Sequence, residues 1–243
     1  MSRGSRIMVL ALSVAALFFP ALAAADCLEG DCESGRGVYQ SEEGWTWEGG
    51  FENGRPNGRG TLTWADGGRY VGTVKDGVVE GQGTYTLADG TVYEGAFVDG
   101  KLEGYGTRRG PDGVKFIGSF SGGLMHGSGS YVHPDGTKYV GDFQDDQPHG
   151  HGSMYYPDGS HYRGEWEAGQ MTGRGVMKFA DGREYSGQWL GGQMNGQGAL
   201  TMPDGTRITG TWANGVVNGP GTFTDASGRS NQGVWRDGEF TPQ

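Results

Sequence analysis

Forty-four of the 51 glycines fall on five positions of one 23-residue register. One column runs Gly49, Gly72, Gly95 and on to Gly233; others run from Gly44 to Gly228, Gly35 to Gly219 and Gly37 to Gly221. A fifth, Gly54 to Gly238, is broken once, by Asp146. Nine copies without an insertion or deletion describe a small unit stacked on itself. A single-pocket enzyme needs irregular loops, and this register leaves no room for them.

Within a copy such as Gly81 to Phe97, two short runs rich in Thr, Val and aromatics flank Ala88-Asp89-Gly90. The runs suit extended, pleated backbone. Asp-Gly is a hairpin turn signal, because both residues tolerate positive φ. Pro precedes it at 111, 134, 157 and 203, which favours a type I turn with glycine in the left-handed place and a three-residue loop. Val98 to Glu103 is polar and short, and reads as the connection to the next hairpin. The expectation is all-β: a single antiparallel sheet of about nine tandem hairpins over residues 35–238, eighteen strands in all. Residues 26–34 form a lead-in and 239–243 a tail.

Alternate side chains of a strand share a face. Tyr93, Gly95 and Phe97 therefore point together, as do Tyr139, Gly141 and Phe143. The columns gather Trp47, Phe51, Tyr70, Tyr93, Phe97, Tyr139, Phe143, Tyr162, Trp166, Tyr185, Trp189, Trp212 and Trp235 into one stripe. A lone sheet has no second layer, so these rings are expected to supply its core by burying one another. Rings left partly exposed would form a binding face.

The stretch Tyr93-Glu-Gly95-Ala-Phe97-Val-Asp-Gly100-Lys-Leu-Glu-Gly104-Tyr-Gly106 resembles the MORN repeat, and the likeness spans about residues 35–238. Departures are Val74 in the aromatic column and Phe116, Ile208 and Asn231 in the tyrosine column. The resemblance implies an elongated, twisted sheet and a scaffolding or binding role through protein contacts and self-association. A phospholipid role is also proposed for such proteins.

Residues 1–25 have the form of a secretory signal peptide: Arg3 and Arg6, an apolar stretch from Ile7 to Phe19, then Ala23-Ala24-Ala25. Cleavage is expected before Asp26, placing the protein in the periplasm or outside the cell; a retained anchor is the alternative. Cys27 and Cys32, the only cysteines, then read as a disulfide in an oxidising compartment, with free thiols as the alternative. Without Arg3 and Arg6 the chain carries 17 basic residues against 29 acidic ones, a net charge of −12. Nucleic acid is excluded as a partner and anionic membrane disfavoured. The one basic pair, Arg108-Arg109, reads as a locally weak hairpin or a docking feature.

His126, His149 and His151 are the one hint of a metal site. His126 and His149 hold the same place in adjacent copies, about 10 Å apart by strand spacing, which does not suit zinc. Their column otherwise holds Asn57, Glu80, Glu103, Thr172, Asn195 and Asn218, a polar loop position. The turn aspartates stand singly and cannot surround calcium. No cofactor and no catalytic group is expected. The leading function is therefore a non-enzymatic exported scaffold. It would bind a protein partner by its sheet face or by strand addition, or self-associate through an end hairpin. A cell-envelope glycan-binding module, using rings that stack on sugars, and a membrane-surface module are the alternatives.

Overall fold

The computed structural model describes residues 27–243. The expected signal peptide thus lies outside the described residues. Every regular element among them is a strand, twenty in number, and every pairing is antiparallel between consecutive strands, in the manner of an open sheet of tandem hairpins. The chain divides into two compact units at Pro134 and Asp135.

Residues 27–134 hold β1 (Cys27–Gly30), β2 (Arg36–Gln40), β3 (Thr46–Glu52), β4 (Arg55–Thr63) and β5 (Arg69–Lys75). They continue with β6 (Val78–Thr86), β7 (Val92–Val98), β8 (Lys101–Arg109), β9 (Lys115–Ser121) and β10 (Leu124–Val132). Residues 135–243 hold β11 (Lys138–Gln144), β12 (Gln147–Tyr155), β13 (His161–Glu167), β14 (Gln170–Lys178) and β15 (Glu184–Leu190). Their remaining strands are β16 (Gln193–Thr201), β17 (Arg207–Ala213), β18 (Val216–Thr224), β19 (Ser230–Arg236) and β20 (Glu239–Pro242). Strands β1 and β20 exceed the eighteen expected: the lead-in pairs with β2 and the tail with β19.

Two kinds of turn alternate. At Asp-Gly, the Leu87 N–H donates to Thr91 O at 2.8 Å and the Gly90 N–H to Leu87 O at 2.9 Å. Gly90 has φ +88°. This is the three-residue loop that the sequence favours. The second kind is tighter than expected. Between β7 and β8 only Asp99 and Gly100 turn the chain, with φ +49° and +76°, as a two-residue hairpin turn requires. Lys101 to Glu103 are already strand. The glycine N–H of this turn then reaches into the preceding copy: Gly100 donates to Val79 O at 3.0 Å and Gly192 to Met171 O at 3.0 Å. Asp146 takes that glycine's place in its own copy, with φ +66°.

Each strand from β2 to β10 contributes one glycine to a row that crosses the ladder: Gly60 faces Gly72, Gly72 faces Gly83, and Gly83 faces Gly95. In residues 135–243 the row runs Gly152, Gly164, Gly175, Gly187, Gly198 by the same pairing. Glycine weakens a strand unless something packs on its bare backbone. Here that something is a ring. A Cβ on Gly175 would lie 2.5 Å from Tyr162 Cε2, and one on Gly187 2.5 Å from the Tyr185 hydroxyl.

The rings then pack edge to face. Tyr139 meets Phe143 of its own copy at 5.0 Å and Trp166 of the next at 5.1 Å. Tyr162 meets Trp166 and Trp189 at 5.3 and 5.2 Å, and Tyr185 meets Trp189 and Trp212 at 5.3 and 5.2 Å. Such geometry suits the ring quadrupole. Polar tips find backbone: the Tyr162 hydroxyl donates to Glu165 O at 3.1 Å, and Trp189 Nε1 donates to Gly175 O at 3.2 Å. A further apolar column follows the tight turns, with Pro56, Val79, Leu102, Met125 and Val217 buried. The sequence pattern suggests a polar connection at this column; these residues are core.

Candidate functional site

All thirteen residues of the aromatic stripe are buried, from Trp47, Tyr139, Tyr162 and Tyr185 at 0% exposure to Phe51 at 6%. The stripe is the packing layer of the sheet, the role expected for most of its rings. The structure brings these residues together as a core. Where the column lacks tyrosine, a substitute covers the glycines. A Cβ on Gly221 would meet Trp235, and one on Gly233 would meet Phe240 at 2.7 Å. At the other end the Cys27–Cys32 disulfide does this work: Cys32 Sγ lies 2.9 Å from where a Gly37 Cβ would stand.

The copy containing Arg108 departs from the rest. Its Gly95 is covered by Leu102, not by Tyr93. Arg108 occupies the place of Leu62 and Tyr85 on the ring face, and its Nε donates to the Tyr93 hydroxyl at 3.2 Å. Tyr93 stays buried, at 4% exposure. Arg109 points to the other face and lies 3.8 Å from Glu94, both exposed.

His126 stands in β10 of the first unit; His149 and His151 stand in β12 of the second. Their column is a strand position, not a loop, because the tight turn ends before it. In other copies this column serves the next turn along: Asn57 donates to Asp76 at 3.4 Å and Asn218 to Asp237 at 3.2 Å. Among the described residues no group of three or more His, Cys, Asp or Glu could hold a metal ion.

The turn aspartates act on their own loops. The Asp89 carboxylate accepts the Thr91 N–H at 2.7 Å, and Asp204 accepts the Thr206 N–H at 2.9 Å. These bonds hold both carboxyls below the usual aspartate range. The Ser227 hydroxyl and the Arg229 N–H together hold Asp225 down to about 2. Burial works oppositely on the tyrosines, pushing Tyr70 and Tyr185 up to about 12 and raising Tyr162 as well. Both shifts bear on stability. A depressed carboxyl stabilises the fold above its unfolded value near 3.9 and loses that contribution as pH falls through the folded value. A raised phenol stabilises fully below about 10 and loses its contribution as pH rises beyond. The urea midpoint should therefore be level between about pH 4 and 10 and fall on both sides. A midpoint that does not change at about pH 2 or pH 11 would contradict these bonds and this burial.

The face opposite the rings is more polar, though Tyr105, Ile117, Val140 and Tyr155 stand exposed on it. Each long strand carries a bulge next to its glycine: Gly164 faces Gly175, yet Glu165 faces Thr172. The N–H groups that the bulge frees are taken by side chains of this face. Glu165 accepts the Arg174 N–H at 2.8 Å, Gln188 the Gln197 N–H at 2.8 Å, and Asp142 the His151 N–H at 3.1 Å. In residues 135–243 this face forms a groove of about 960 Å³ lined by His151, Ser153, Arg163, Arg174, Gln188 and Gln197, among others. A smaller hollow of about 310 Å³ adjoins it, sharing Ser153, Arg163 and Val176 and adding Tyr155, His161 and Lys178. The sequence reading missed this clustering. Arg163 and Arg174 are 11 residues apart in the chain, and they share a face only because β13 and β14 pair across the bulge.

A row of glycines roofed by rings, repeated hairpin after hairpin, defines a β-repeat array. The family model for the MORN repeat matches eight consecutive stretches, residues 47–69, 70–92, 93–115, 116–138, 139–161, 162–182, 185–207 and 209–228. The chain belongs to the MORN repeat family. The family frame opens on the tyrosine strand, and the same register extends beyond it to Gly35 and Gly238. The search of curated proteins gave no match. Among solved structures, the chain is similar to the TCP10 domain of Danio rerio CPAP, at 15% identity over 85% of this chain and 99% of that one, with a TM-score of 0.46. It is also similar to the SAS-4 (dCPAP) TCP domain of Drosophila melanogaster, solved with a proline-rich motif of Ana2, at 12% identity over 63% and 83% of the two chains and a TM-score of 0.42.

Proposed function

We propose that the protein is an exported, non-enzymatic scaffold that binds a protein partner or a second copy through its polar sheet face and open strand edges. One observation carries this reading: the thirteen-residue stripe is committed to the core, so what remains for contact is the bulged polar face and the outer sides of β1 and β20. Among the described residues, β1 pairs with β2 alone and β20 with β19 alone, and an unpaired strand edge is a template for another chain. The family's repeat architecture supports a binding role. Export is supported by the signal-like residues 1–25 and by the Cys27–Cys32 disulfide, which suits an oxidising compartment. A glycan-binding module would need exposed ring faces, and the stripe offers none.

The test is crosslinking in intact cells, followed by fractionation and identification of the captured species. The expected product is a protein–protein adduct in the exported fraction, with Asp26 as the first residue. Recovery confined to the cytosol with residues 1–25 intact, or capture of glycan or lipid alone, would overturn the proposal.

A further inference from the structure

We infer that the groove on the polar face of residues 135–243 is the docking site for an extended acidic segment of the partner protein. This deepens the scaffold reading and rests on it. The chain holds 29 acidic residues against 19 basic ones, yet no aspartate or glutamate lines the groove or the hollow beside it. Arg163, Arg174 and Lys178 line them instead. Lys178 faces Glu184 at 3.5 Å across an exposed pair. Neither Arg163 nor Arg174 has an ion-pair partner among the described residues.

Glu165 and Asp142 lie on the same face but line neither the groove nor the hollow; each accepts the backbone N–H of a bulge. Two exposed guanidiniums therefore stand over a floor that includes Gly164, Gly175 and Gly187. A guanidinium presents paired donors that match a carboxylate. The glycine floor lets a peptide backbone approach closely, and Ser153 and Ser186 line it with hydroxyls. The place of Arg174 holds arginine also at Arg36 and Arg59, but the place of Arg163 holds Glu48, Val71, Glu94, Ile117 and Val140 in earlier copies, so the two arginines stand together in this copy alone. The overall acidic balance of the chain disfavours an acidic segment elsewhere and favours this groove.

The experiment uses the full chain and a fluorescent peptide of about twelve residues alternating Glu and Ser, followed by anisotropy. The expected result is binding that weakens between about 50 and 200 mM salt and drops at least about tenfold in the Arg163→Gln/Arg174→Gln double variant. Any binding of a Lys–Ser peptide to the acidic surface should not weaken in the double variant. Both arginines are exposed on the face away from the rings, so the variant should keep the wild-type far-ultraviolet spectrum. Equal peptide binding by wild type and variant, or none by wild type, overturns the inference. So does binding of phosphatidylglycerol vesicles, lost in the double variant, without peptide binding. Capture of the in-cell partner by both wild type and the double variant would sink the groove and leave the scaffold reading standing. Capture by neither would sink the scaffold reading itself.

Discussion

Replacing Tyr162 with alanine should lower the unfolding free energy of residues 135–243 by about 3–5 kcal/mol, the range for removing a buried aromatic side chain. The side chain is fully buried, roofs Gly164 and Gly175, and is the shared neighbour of Trp166 and Trp189. Its loss leaves a void, two tryptophan edges without a face, and glycine backbone open to water. Urea denaturation followed by tryptophan fluorescence measures the effect. Tyr162→Phe should cost only about 1 kcal/mol, for the hydrogen bond to Glu165 O. A loss under about 1 kcal/mol in Tyr162→Ala would mean that the ring row is not the core.

The second large effect belongs to the glycines beneath. Gly164→Ala should cost about 2–3 kcal/mol by overpacking. The added methyl would stand 2.6 Å from Arg174 O and 2.6 Å from Gly175 Cα. Those are backbone atoms of the paired strand, so no side-chain rotation relieves the contact, and the strand must move. The constraint is space, since Gly164 is not among the glycines of positive φ. Ser186→Ala, on the exposed polar face, should change stability by less than about 0.5 kcal/mol. Equal effects of the two substitutions, by the same denaturation measurement, would contradict the close ring-over-glycine contact.

Much of this was legible in the chain because period and chemistry agreed. Asp89-Gly90 announces its loop through the φ it needs, and the Tyr-Gly-aromatic alternation announces a face. The tight turn at Asp99-Gly100 was harder to read. Lys101, Leu102 and Glu103 lack the β-branched and aromatic residues that mark strands, so Leu102 and its column passed for connection although they are buried. That miss carried the histidine column with it into a supposed loop. The fate of the stripe depended on distance. Sequence places Tyr162 and Trp166 on one face but does not say whether the rings stand up toward a ligand or lie down on glycine. The groove depended on register, since the two-residue bulge sets which arginines become neighbours.

Tyr139, Tyr162 and Tyr185 each touch one ring in their own copy and one in the next, and the tight-turn glycines such as Gly100 and Gly192 hydrogen-bond to the copy before them. Excising one whole frame, such as residues 162–184, would bring Trp189 to the spot that Trp166 holds against Tyr139. Chain length in such a molecule is thus a quantity that evolution can add to or trim in whole modules while the ring and turn contacts between neighbouring copies stay the same.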